Sequence, residues 1–142
     1  MDVKVYRIQK TLSANDTGET GGHQAGIVLP KKPEILNFFP FLDPQLYNPR
    51  QEIDFEDEYG DLWALRFIYY NNKLFGGTRN EYRLTGTTRF INRFSLRQGD
   101  NLILERSGGQ HKILSSTDIS DQIGIPERVS VKLGYSWVNT TN

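Results

Sequence analysis

Glycine, proline and asparagine cut this chain into short apolar runs, and a chain cut that often has to build its core from short strands. Residues 2–8 alternate polar and apolar side chains, as a half-buried strand does. Residues 13–24 are polar and glycine-rich throughout, which predicts a loop, and residues 26–30 form a brief apolar strand. Pro33 is suited to open a short helix over 34–39, since proline is tolerated in a first helical turn. Pro40, Pro44 and Pro49 then keep the chain irregular.

The second half continues in the same way. Residues 51–56 and 62–70 read as two strands joined by a hairpin at Glu58-Tyr59-Gly60-Asp61. Residues 71–80 form a second polar loop, residues 82–85 return as strand, and 88–96 hold a short helix with Phe90, Ile91 and Phe94 on one face. The runs 101–106 and 112–114 flank Ser107-Gly108-Gly109-Gln110, the clearest hairpin in the chain. A helical turn is expected over 118–123 and a last strand over 129–138. Many short strands with two small helices predict a mainly β barrel or sandwich rather than a parallel sheet. The length of 142 residues fits a single domain.

Composition removes several function classes. No apolar stretch reaches the roughly 20 residues that span a bilayer, and the first ten residues do not read as a signal peptide. No membrane partner is expected. The chain has no cysteine, which excludes disulfides, thiolate nucleophiles and zinc–cysteine sites and makes an intracellular location the default. The formal net charge is zero, but the charges are segregated along the chain. Residues 43–61 carry seven acids against Arg50, whereas residues 66–106 carry eight bases against three acids. A fold that keeps these segments apart presents one basic face. The plainer reading is a set of solvated arginines on strand edges.

Catalytic motifs fail one by one. A carboxylate–lysine nuclease needs two acids and a lysine around magnesium, but the only acid-x-lysine is Asp2-Val3-Lys4, with no acid before it. His23 and His111 lack partners at ligand spacing, so no metal site is expected, and His111 reads as a strand-edge residue. The glycines of 17–22 are followed by no Gly-Lys-Ser/Thr, which removes a nucleotide loop. They are equally suited to a close approach to nucleic acid or to a plain long turn.

The second loop is more informative. Tyr70, Asn71, Asn72 and Lys73, followed by Thr78, Arg79, Asn80, Glu81, Tyr82 and Arg83, gather the side chains that read base edges. Arginine pairs with guanine, asparagine with adenine, and glutamate accepts from the cytosine amino group. Glu81 among arginines fits a base reader, or a partner that orients Arg79 or Arg83. A surface salt-bridge set is the plain alternative.

Residues 10–30 and 69–85 closely resemble the N-terminal effector domain of EcoRII-type restriction endonucleases. A wider similarity to plant B3 DNA-binding domains adds Trp63, Arg66, Tyr69, Leu84-Thr85, Phe90 and residues 96–100, and residues 29–40 fit the same plan. Together these cover roughly residues 5–115. The resemblance implies a seven-stranded B3-like pseudobarrel with two short helices, whose two loop arms grip the major groove. The N-arm would be residues 10–24, with Lys10, Ser13, Asn15, Asp16, Thr17, Thr20, Gly22, His23 and Gln24 at the DNA. The C-arm would be residues 71–83, with Tyr70 at its base. Lys31, Arg66 and Arg89 would give weaker phosphate contacts.

A CC(A/T)GG-like duplex site is implied, read without a cofactor. Gly77 and Tyr82 stand where the family pattern carries lysines, which implies a weakened or shifted phosphate grip. The family places its nuclease, with magnesium, in a separate domain, and the polar tail 136–142 reads as the start of a linker. The expected role is therefore the target-binding domain of a type II restriction endonuclease in a bacterial or archaeal cytoplasm, linked covalently to its nuclease domain. The rival roles are a stand-alone B3-like regulator or a reader of modified DNA. A barrel that cleaves DNA itself is disfavoured by the absence of any complete catalytic motif.

Overall fold

The computed structural model describes residues 4–19, 26–116 and 136–141. Strands β1 (Val5–Thr11), β2 (Ile27–Leu29), β3 (Arg50–Glu56), β4 (Leu62–Tyr70), β5 (Glu81–Thr85), β6 (Asn101–Ser107), β7 (Gln110–Ser116) and β8 (Trp137–Asn139) form one sheet in the order β2-β5-β4-β3-β7-β6-β1-β8. Its pairings are antiparallel except for a single parallel pairing of Glu56 with Lys112 between β3 and β7. Its two end strands are bridged by a side chain: the Trp137 indole donates to the Val28 carbonyl at 3.0 Å. A nearly closed barrel results. Both edges thereby lose much of their freedom to pair elsewhere.

Alternation decides which side chains enter the barrel. Ile53 and Phe55 of β3, Leu65 and Phe67 of β4, Leu84 of β5, and Leu102 and Leu104 of β6 all point inward and are buried. Two short helices add to this core: α2 (Pro33–Leu36) contributes Ile35, and α3 (Thr87–Arg93) contributes Phe90 and Ile91. Pro33 opens α2 as expected, but that helix is only four residues long.

The described residues form eight strands, against seven in the pseudobarrel plan, and hold more helical turns than the two expected. The extra turns are α1 (Ala14–Thr17) and a 3-10 turn over Asn72–Phe75, each inside a segment read as loop. A capping box makes the first: the Ser13 hydroxyl accepts from the Asp16 N–H at 3.2 Å, and Asp16 accepts from the Ser13 N–H at 2.9 Å.

β1 runs to Thr11 rather than stopping at residue 8, because Lys10 and Thr11 pair with Leu102 and Asn101. The β3–β4 hairpin is organised one residue earlier than the sequence implies. Buried Asp57 accepts from the Tyr59 and Asp61 N–H groups and from the Trp63 indole, at 2.8, 3.0 and 2.9 Å. The helical turn expected over 118–123 lies outside the described residues, as does most of the strand expected over 129–138. No helix among the described residues is long and apolar enough to cross a membrane.

Candidate nucleic-acid interface

The outward face of β4 and β5 gathers the charged side chains of the second polar loop. Tyr70 pairs with Glu81, Ile68 with Arg83, and Arg66 with Thr85, which puts all six on the face opposite the core. Arg50 and Val28 extend the row on the neighbouring strands, opposite Ile68 and Arg83 respectively. Ile68 is buried although it points away from the barrel interior, since this row covers it.

Arg79 folds back onto the row. Its guanidinium lies 3.8 Å from the Tyr70 ring centre, and its Nε and Nη2 donate to Glu81 Oε1 at 3.0 and 2.7 Å. The Nε of Arg83 approaches the same oxygen at 3.4 Å, and its Nη1 donates to the Gly26 carbonyl at 3.4 Å. One carboxylate therefore faces two partly exposed guanidiniums. Partial burial alone would raise the Glu81 pKa, but the Arg79 hydrogen bond and the Arg83 charge outweigh it and hold the carboxyl below its usual value.

A depressed folded-state pKa contributes stability above the unfolded carboxyl value of about 4.3, and that stability is lost as pH falls through the lower folded value. The stability difference between the wild type and Glu81→Gln is expected to be full at pH 6 and to shrink below about pH 4. Urea midpoints across that range check it, and a difference that stays constant into acid would contradict the charge-paired role.

The loop itself is braced from inside. Asn72 Oδ1 accepts from the Arg79 N–H at 2.6 Å, and the Lys73 N–H donates to the Arg79 carbonyl at 2.9 Å. A Cβ on Gly77 would come within 2.8 Å of that Asn72 oxygen, so a lysine there would displace the brace. Tyr82, the other departure from the family pattern, joins a column of near-parallel rings instead. Phe39–Phe67, Phe67–Tyr82 and Tyr82–Tyr69 are spaced 4.4, 5.6 and 4.3 Å apart, and the Tyr69 hydroxyl donates to Asn80 Oδ1 at 2.7 Å. The column thus runs from the core to the loop and fixes Asn80.

Three expected contact residues turn inward. Asn71 is fully buried, and its side chain serves Pro44, Leu46 and Asn48 of the segment before β3. Lys10, on the inward-facing parity of β1, is buried in an ion pair with Asp16. Asp16 is further occupied by the capping box. These groups brace the loops from within.

The other expected residues lie as follows. Ser13 is the cap of α1, Asn15 is exposed on it, and Thr17 donates to the Ala14 carbonyl at 3.1 Å. Thr20, Gly22, His23 and Gln24 lie outside the described residues. Lys31, Lys73, Thr78 and Arg89 are exposed, and Arg66 faces Glu52 at 3.8 Å. His111 packs edge-on against Phe55 and Phe38 at 5.2 and 6.1 Å, and burial, then the Arg106 charge, lowers its pKa. That is a structural histidine.

The two charge blocks of the sequence do not become two separate regions, because β3 pairs with β4 and sets Glu52 beside Arg66. Arg106 leaves the basic set altogether and lies over the Tyr6 ring at 4.4 Å. Arg50 and Arg83 flank Ile68 across the sheet, and Arg79 lies over the Tyr70 ring on the same face. Gly26 brings the end of the first loop to this place. A Cβ there would lie 2.4 Å from the Leu84 carbonyl oxygen, and its φ of +89° suits glycine alone. Arg50, Tyr69 and Gly26 were not singled out as contact or arm-forming residues from the sequence, and only strand register reveals them.

The family model described as restriction endonuclease EcoRII, N-terminal, matches residues 2–104. The chain belongs to the EcoRII N-terminal domain family. Within that setting, the type II restriction enzyme EcoRII of Escherichia coli is 42% identical over 79 residues, which are 54% of this chain and 19% of the enzyme. Auxin response factor 2 of rice is 35% identical over 97 residues, 68% of this chain and 12% of that protein. Each match thus spans under a fifth of the relative's own length. Among solved structures, the Arabidopsis FUS3–DNA complex superposes with a TM-score of 0.60 at 22% identity, over 78% of this chain and 95% of that one. The fold is therefore the B3-like pseudobarrel that the EcoRII N-terminal domain resemblance implied.

Proposed function

We propose that residues 1–142 form one domain that reads a short CC(A/T)GG-like duplex through two arms, residues 10–24 and 71–83. The observation that carries this reading is the array of Arg79, Glu81 and Arg83 on Tyr70. It holds donors and an acceptor in fixed relation on one face, which is what readout of guanine and cytosine edges in the major groove requires. Family membership supports it, as does the DNA partner named for the superposed FUS3 structure. Arg50, Lys73 and Arg66 flank the array and supply phosphate contacts.

The domain acts within a longer type II restriction enzyme, where it delivers the target and a separate nuclease domain, with magnesium, cleaves. The Escherichia coli relative supports that setting, and with it a bacterial cytoplasm. The similarity to rice auxin response factors favours a second reading, a transcription regulator on the same scaffold. Site selection from a random duplex pool tests the recognition. Enrichment of GC pairs around an A/T centre is the expected result, and a pool that stays random would overturn it. A reading frame that continues into a nuclease domain separates the two settings.

A further inference from the structure

Among the described residues, four of the nine exposed large apolar side chains are grouped on two neighbouring segments. Leu46, Tyr47, Leu74 and Phe75 stand 58%, 62%, 65% and 51% exposed on two segments that meet, where the Tyr47 and Phe75 rings pack edge to face at 5.6 Å. Buried Asn71 rivets the two segments together, so this surface is rigid. Contiguous exposed apolar surface of this kind marks a contact site. The question is what it contacts.

Its link to Arg79 answers in favour of DNA. Leu74 and Phe75 end the 3-10 turn, whose Asn72 side chain and Lys73 N–H both bind the Arg79 backbone. Wherever Arg79 reaches a base edge, the turn arrives with it, and Lys73 on the same turn gives it a cationic border. Neither the Leu74 nor the Phe75 side chain can donate or accept a hydrogen bond. The one apolar group that base edges show in the major groove is the thymine C5 methyl.

We infer that Leu74 and Phe75, backed by Tyr47, pack on a thymine methyl, so that the second loop reads an A·T pair by shape beside the pairs read by Arg79 and Glu81. This rests on the DNA reading under Proposed function. It adds a specificity element of a different chemistry, one that senses the methyl itself.

Thymine-to-deoxyuridine exchange isolates the methyl, since it keeps every hydrogen-bonding group of the base. Dissociation constants would be measured for the full chain on the duplex that site selection enriches, with each thymine replaced in turn. One replacement is expected to weaken the wild type about fourfold, the worth of one buried methyl. In Leu74→Ala and in Phe75→Ala that ratio should fall towards one. Both side chains are exposed, so both variants should fold, and unchanged thermal midpoints would document it.

Indifference of the wild type to every replacement would overturn the inference while leaving sequence recognition intact. Uniform weakening of the variants on thymine and deoxyuridine duplexes alike would assign the apolar surface to deoxyribose and also overturn it. Variants that keep the wild-type affinity and ratio would overturn it in favour of a protein partner. Absence of any sequence preference in the wild type would remove this inference and the proposed function together.

Discussion

Replacing Asn71 with alanine is expected to cost the fold about 2–4 kcal/mol, more than any surface change in the second loop. The side chain has no exposed surface. Its Oδ1 accepts from the Asn48 N–H at 2.7 Å, and its Nδ2 donates to the Pro44 and Leu46 carbonyls at 2.9 and 2.7 Å. Its own N–H donates to Asn48 Oδ1 at 3.1 Å, and Asn48 holds a left-handed φ of +45° to make the exchange. Alanine removes all three side-chain bonds and leaves their partners to whatever water can enter. For a domain of this size the thermal midpoint should fall by roughly 5–15 °C. Recognition should suffer with it, because Lys73 and Arg79 are anchored one turn away. A midpoint within a degree of the wild type would show that the rivet is dispensable.

The second large effect is on discrimination rather than stability. Arg79→Ala should reduce the preference for the target over a scrambled duplex by about 1–3 kcal/mol, the usual worth of one bidentate base pairing by arginine. Its guanidinium is held on Tyr70 and Glu81 before any ligand arrives, so little ordering is required on binding. Removing it also frees Glu81 to turn wholly to Arg83. Lys73→Ala supplies the contrast: without its charge at a phosphate, all duplexes should bind more weakly alike and the salt dependence should flatten. Paired titrations on specific and scrambled duplexes at one salt concentration separate the two. Equal losses on both for Arg79→Ala would remove its base-reading role.

Much of the barrel was legible because its information is local. β4 was bounded correctly at both ends, and the Gly108-Gly109 hairpin fell where the turn residues put it. The cluster of Arg79, Glu81 and Arg83 was also readable, since composition carried it. What sequence could not supply was direction. Asn71 looks like Asn72 and Asn80 in a string of base-reading residue types, but a partner segment over 20 residues earlier in the chain decides that it points inward. Lys10 belongs to a strand that runs further than its apolar pattern, so it takes the core parity and meets Asp16. The aromatic column is equally non-local: Phe39, Phe67, Tyr82 and Tyr69 come from three segments, and only strand register stacks them.

The same distinction explains the two departures from the family pattern. Gly77 and Tyr82 read in the sequence as a weakened phosphate grip. In the structure each has a use of its own, since Gly77 leaves room for the Asn72 brace and Tyr82 links the core to the loop. Register places Arg50 opposite Ile68, in the outward row that includes Arg83.

The central claim is sequence reading of duplex DNA by this domain, and a competition titration tests it most directly. Labelled CC(A/T)GG duplex would be bound at fixed salt and displaced by unlabelled target or by a scrambled duplex of equal length and composition. The account predicts displacement by the target at concentrations at least about tenfold lower, the ratio that a single base reading alone would give. Equal displacement by both duplexes, or no binding to either, would contradict it.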